Sequence, residues 1–264
     1  TASNNTAVGF ASLGANTTGT ENTALGTDAL DANTTGGYNT GLGRNALGGN
    51  TTASYNTSVG WNSMLASTTG DDNSALGYKA LNANTTAAGN TAIGFQALLV
   101  NTTGASNVAV GKAALDANTT ADNNTGIGYN ALTANTTGAY NTAVGMIALG
   151  ANTTGSYNVA VGSNALDANT TGAGNIAVGH SALGSNTTAG EVTGIGDGCL
   201  ATNTSGASNT AFGAQTLAAC TTGGNSTAIG AYALNDSTTG YINTAIGSSA
   251  GAVVTTGANN IFLG

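Results

Sequence analysis

The chain has 264 residues, of which three are basic and eleven acidic, for a net charge of −8. Average globular chains carry roughly a quarter charged residues, so this surface is unusually neutral. Its isolated bases, Arg44, Lys79 and Lys112, form no patch for nucleic acid. No apolar run approaches the ~18 residues of a membrane span, and the regular spacing of the 40% hydrophobic residues argues for order rather than disorder.

Chain order reveals one repeating element. Asn5-Thr6-Ala7-Val8-Gly9 returns as Asn22-Thr23-Ala24-Leu25-Gly26, then as Asn39-Thr40-Gly41-Leu42-Gly43, and so on in steps of 17 to Asn260-Ile261-Phe262-Leu263-Gly264. Numbered from that Asn, the unit reads N-T-A-(V/I/L)-G-x-x-A-L-x-A-N-T-T-G-x-x, with fifteen complete copies in one register. A helical repeat needs about 30 residues or more, and glycine punctuates this unit too often. The expected fold is therefore all-β, a parallel β-solenoid of 17-residue coils running through residues 1–264 as a single array. Neighbouring strands lie about 4.8 Å apart, so sixteen stacked coils make a rod roughly 75 Å long. The chain starts at Thr1, partway through a unit, which reads as a segment of a longer protein.

Within the unit, position 1 is Asn except at Val192 and Ser226, and a stacked Asn column suits coil-to-coil amide bonding. Position 4 is always a large apolar residue, and position 9 is Leu in thirteen of fifteen copies. These two columns are the expected core, exemplified by Val8, Leu25, Ile93, Val144 and Ile229 at position 4. Leu13, Leu30, Leu98, Leu149 and Leu234 represent position 9. The invariant glycine of position 5 (Gly9, Gly26, Gly43, Gly145) suits a positive-φ corner. Positions 3 and 8 are almost always small, and in a strand they face away from their large neighbours. They are the expected wall for packing against identical chains, at residues such as Ala143, Ala148, Ala160 and Ala165. Positions 6 and 17 vary freely and carry most of the aromatics. Trp61, Tyr78 and Phe95 at position 6, and the pair Tyr140 and Tyr157 at position 17, fall in adjacent coils and are candidate contact stripes for a carbohydrate or a partner rod.

Catalytic, cofactor and metal sites find no candidates. His180, the single histidine, occupies a free position, and no two adjacent coils carry acids at the same position. Calcium-binding repeats need an Asp in every unit. Cys199 and Cys220 fall in different columns, so free thiols are expected over a disulfide. The eleven Asn-Thr-(Thr/Ser) triplets match the glycosylation pattern, although a regular Asn column accounts for them without sugar.

The N-T-A-(V/I/L)-G…A-L unit resembles the head repeats of trimeric autotransporter adhesins. It also resembles arrays in bacterial surface and phage tail-fibre proteins that carry a C-terminal intramolecular chaperone. That resemblance implies a trimer of parallel solenoids on a cell or virion surface, adhering to a glycan or a host or prey cell receptor. A non-enzymatic structural or adhesive rod is the expected function. Ice binding by ordered threonines and a phage tail-fibre shaft are the alternatives.

Overall fold

The computed structural model describes all residues, Thr1–Gly264. The chain is a parallel β-solenoid with one three-residue strand per coil. Its sixteen strands follow chain order in one sheet, and there is no helix. The residues group into two compact units, Thr1–Tyr129 and Asn130–Gly264. The first holds strands β1 (Thr6–Val8) to β8 (Thr125–Ile127), the second β9 (Thr142–Val144) to β16 (Ile261–Leu263). Register is the repeat itself: Thr6 faces Thr23, Ala7 faces Ala24 and Val8 faces Leu25.

Only three residues of each coil are strand; the rest is turn, and the turns need unusual backbone. Leu is in the left-handed region at position 9 of nearly every coil, as at Leu30 (φ 52°) and Leu98 (φ 51°). This region disfavours side chains, bulky ones most. Here the conformation sends the leucine inward while its N–H donates to the next coil, as from Leu30 to the Ala46 carbonyl at 3.0 Å. Full burial of a leucine is worth about 1.5–3 kcal/mol, which offsets the local cost.

The interior of a 17-residue coil holds one large side chain, and that space belongs to position 9. Leu30, Leu98, Leu149 and Leu234 are fully buried, and Leu13, in the first coil, is partly covered. The other expected column is corrected by the structure. Val8, Leu25, Ile93 and Ile229 are 56, 49, 39 and 41% exposed, and Val144 is half-buried. The strand turns the other way: position 3 points in, and position 4 points out. Space explains the direction. A Cβ added at Gly41, in position 3, would lie 3.4 Å from the Leu30 side chain, so beside each leucine only a small residue fits. One coil shows the complementary exchange. Gly251 replaces the position-9 Leu, and Phe262 replaces the position-3 Ala of the following strand. The Phe262 ring lies where a Gly251 side chain would be.

Two buried asparagine columns complete the interior. At position 12 the amides bond to one another: Asn33 Nδ2 donates to Asn16 Oδ1 at 3.0 Å and also to the Gly36 carbonyl. At position 1 the side chain serves the backbone instead. The Asn22 N–H donates to Asn5 Oδ1 at 2.8 Å, while Asn22 Nδ2 donates to that same Gly36 carbonyl. Where both columns are intact, the stack thus satisfies the buried amides, as burial of polar groups requires. Replacements test the two columns differently. Ser226, in position 1, still accepts the Asn243 N–H at 3.2 Å. Ser67, in position 12, is too short to reach back, and Ser67 Oγ and Asn50 Oδ1 are both left without partners.

Candidate contact surfaces

Each unit presents two surfaces that the stacking alone does not explain. The first is the outer face of the strands. Position 4 supplies an unbroken aliphatic or aromatic column, none of it buried, and position 2 supplies mostly threonine beside it. Neither column carries a charged residue in any copy. Contiguous exposed apolar surface beyond a few hundred Å² marks interaction sites on soluble proteins. The eight position-4 side chains of one unit reach that order. The small-residue wall, by contrast, lies inside: Ala143, Ala148, Ala160 and Ala165 are each 0% exposed within their own coils. They cannot touch a neighbouring chain, because position 3 shares the leucine interior and position 8 adjoins it.

A corner closes that face. Gly9, Gly26, Gly43 and Gly145 have φ of 132°, 141°, 129° and 140°. A Cβ on Gly9 would also meet the Gly26 carbonyl oxygen at 2.5 Å. Backbone angle and the close approach of the next coil thus both demand glycine.

Beyond the corner lies the second surface, the free column of position 6. Trp61, Tyr78 and Phe95 stack with centroids 5.0 Å apart at each step and interplanar angles of 16° and 8°. Lys79 Nζ lies 5.6 Å from the centroids of both Trp61 and Tyr78. Lys112, itself in the column, places Nζ 5.8 Å from Phe95 and 5.7 Å from Tyr129. Such cation–π contacts are worth about 0.5–1 kcal/mol at exposed sites, enough to hold the ammonium groups against the rings. At position 17, Tyr140 and Tyr157 stack at 5.1 Å, as Tyr38 and Tyr55 do at 5.0 Å.

Threonines divide by position. The position-13 hydroxyls are consumed by the stack, as Thr34 Oγ1 donates to the Thr51 carbonyl at 2.9 Å. Position 14 is left as one exposed rank in each unit. The position-12 amides from Asn33 to Asn203 are buried, so the folded chain withholds them from glycosylation.

The reactive residue types have structural surroundings. Cys199 and Cys220 are free and buried, and burial pushes their thiols up to about 12 and about 11. Both stay protonated at neutral pH. Cys220 Sγ lies 3.8 Å from Asn203 Oδ1 and 3.4 Å from the Gly223 carbonyl, the two acceptors an asparagine would use there. Burial raises the carboxyls of Asp31 and Asp167. Asp71 Oδ1 accepts the Ser54 N–H at 2.7 Å, and Asp122 Oδ1 accepts that of Ala105 at the same distance. These acids occupy position 16, where they satisfy a backbone donor of the preceding coil. His180 Nδ1 and Asp197 Oδ1 lie 3.1 Å apart as an exposed pair. No three His, Cys, Asp or Glu side chains gather in a metal-holding group.

Sequence reasoning identified the aromatic stripes but missed the outer apolar face and the basic residues resting on the rings. The first was hidden by equating size with depth. The second depends on where the Lys79 and Lys112 side chains come to rest, although their recurrence with Arg44 in coils three, five and seven could be read from the sequence. Comparison with protein-family models, curated proteins and solved structures gives no match.

Proposed function

We propose that this chain is a structural and adhesive segment of an extracellular fibre or surface appendage, built from identical parallel chains packed side by side. The observation that carries the reading is the uncharged apolar column of position 4, repeated at every strand on the outer face. Its period equals the strand spacing. A second copy in register offers the same period, so aliphatic side chains of one chain seat between those of the other along the face. A stable interface buries about 800 Å² per partner, a scale that the position-2 and position-4 columns supply together. Three chains is the number implied by the resemblance to adhesin-head repeats, as are the surface location and the attachment role. Repetition then multiplies weak contacts into firm attachment.

The test is mass in solution by sedimentation equilibrium, for the chain itself and for Ile93→Asp combined with Val110→Asp. The unaltered chain should sediment as an oligomer, and the double variant as a monomer with unchanged circular dichroism. A parent chain that stays monomeric across the accessible concentration range overturns lateral assembly. Ice binding, the second reading, draws on the exposed position-14 threonine rank alone; thermal hysteresis by the monomer would favour it.

A further inference from the structure

We infer that the position-6 stripe of the first unit binds a linear acidic polysaccharide in which charged and neutral sugars alternate. The inference rests on the attachment reading for its setting but not on lateral assembly.

Charge placement is the first argument. The first unit holds seven acids and all three bases, whereas the second holds four acids and no base. Arg44, Lys79 and Lys112 all belong to positions 6 and 7. None pairs with a carboxylate, since the molecule's single ion pair is His180–Asp197. Three cations without counter-charges, collected on one stripe of an acidic protein, call for an anion from outside. Arg44 sits one coil before Trp61 in the same column, so the stripe runs Arg44, Trp61, Tyr78, Phe95, Lys112, Tyr129.

Ring geometry is the second argument. Trp61, Tyr78, Phe95 and Tyr129 are 39, 40, 45 and 47% exposed. The stacked rings of Trp61, Tyr78 and Phe95 cover one another's faces, so the stripe offers a sugar their exposed edges, and amides that can bond its hydroxyls border the stripe at Asn45, Asn62 and Gln96. Asn45 Nδ2 already donates to Asn62 Oδ1 at 3.0 Å, which leaves one amide hydrogen of Asn45 and both of Asn62 for other acceptors. The rings are too closely stacked to admit a nucleobase between them. Three cations on a chain of net charge −8 also make a poor track for a phosphate at every nucleotide.

Spacing is the third argument and selects the ligand class. The cations come from every second coil, a recurrence of roughly 10 Å at two strand spacings. That is about the length of an extended disaccharide, so an acidic group on every second sugar meets a base at each recurrence while the intervening sugar lies along the ring edges.

Trp61 is the only tryptophan, so its fluorescence reports the stripe directly. The full chain would be titrated with hyaluronan oligosaccharides, in parallel with neutral dextran oligosaccharides and with oligo-dT. Hyaluronan should give a saturable change in Trp61 emission, weakened by raising ionic strength from about 0.02 M to about 0.5 M. Lys79→Ala and Lys112→Ala should each weaken binding about three- to fivefold, and Tyr78→Ala should weaken it with the charges intact. Circular dichroism should be unchanged in all three. The proposal is overturned by a flat hyaluronan titration, by equal binding of dextran, by tighter binding of oligo-dT, or by lysine variants that bind as the parent does. The monomeric Ile93→Asp/Val110→Asp chain should still bind, which separates failure of this site from failure of lateral assembly.

Discussion

Leu98 and Ile93 belong to the same coil, are equally aliphatic, and recur with equal regularity along the chain. Leu98 is fully buried, whereas Ile93 is 39% exposed. The interior column is fixed by volume: one leucine fills the coil, and its neighbours at positions 3 and 8 must be small. The outer column obeys no such limit, and Val, Ile, Leu and Phe212 interchange there. Regularity therefore identifies a column that stacks, while a narrow range of size identifies one that is enclosed.

Substitution breaks the comparison most directly. Leu98→Ala should cost about 2–5 kcal/mol in chemical denaturation, as large-to-small changes in enclosed sites do. Ile93→Ala, measured at dilutions where the chain is monomeric, should cost about 1 kcal/mol or less. Equal losses would mean that both columns are enclosed.

The exchange at the far end of the second unit sharpens it. Gly251→Leu alone should cost about 1–3 kcal/mol by overpacking against Phe262, while its backbone, at φ 62°, is close to that of the position-9 leucines. Leucine tolerates that φ throughout the array, so Phe262→Ala should rescue Gly251→Leu. A double-mutant cycle with no coupling would show that the two side chains do not share one space.

A smaller effect is expected where an asparagine is missing. Ser67→Asn should stabilise the chain by about 1 kcal/mol, because its Nδ2 reaches the unpartnered Asn50 Oδ1 and the unpartnered Ser67 hydroxyl is removed. Asn243→Ser, which copies the tolerated change at Ser226, should cost less than Asn152→Ser, which copies Ser67. Thermal melts of the three variants give the order.

Much of this was legible in the sequence. Fold class and register followed from uninterrupted 17-residue spacing, and the positive-φ glycine corner from its invariance. Which face of the strand is buried was also encoded, in the paired exceptions Gly251 and Phe262, but a rule that places large residues inside overrode that signal. The left-handed leucines were not legible. Leucine has no local preference for that region, and only the closed stack, with hydrogen bonds to the coils on either side, imposes it. The cation–aromatic contacts likewise depend on where a long lysine side chain comes to rest, which spacing does not specify.

The constant coil length also sets the kind of change that evolution can make. Inserting one residue would shift every downstream asparagine, glycine and leucine out of its column within that coil, and the loop would have to bulge or the stack fail. Unequal recombination between two units instead removes or duplicates a whole coil, and like meets like at the junction. Such a gene can lengthen or shorten its product by whole coils in single events, while point mutation at positions 6, 7, 10, 16 and 17 rewrites the surface. Reach and recognition can thus diverge between relatives independently, with the interior unchanged.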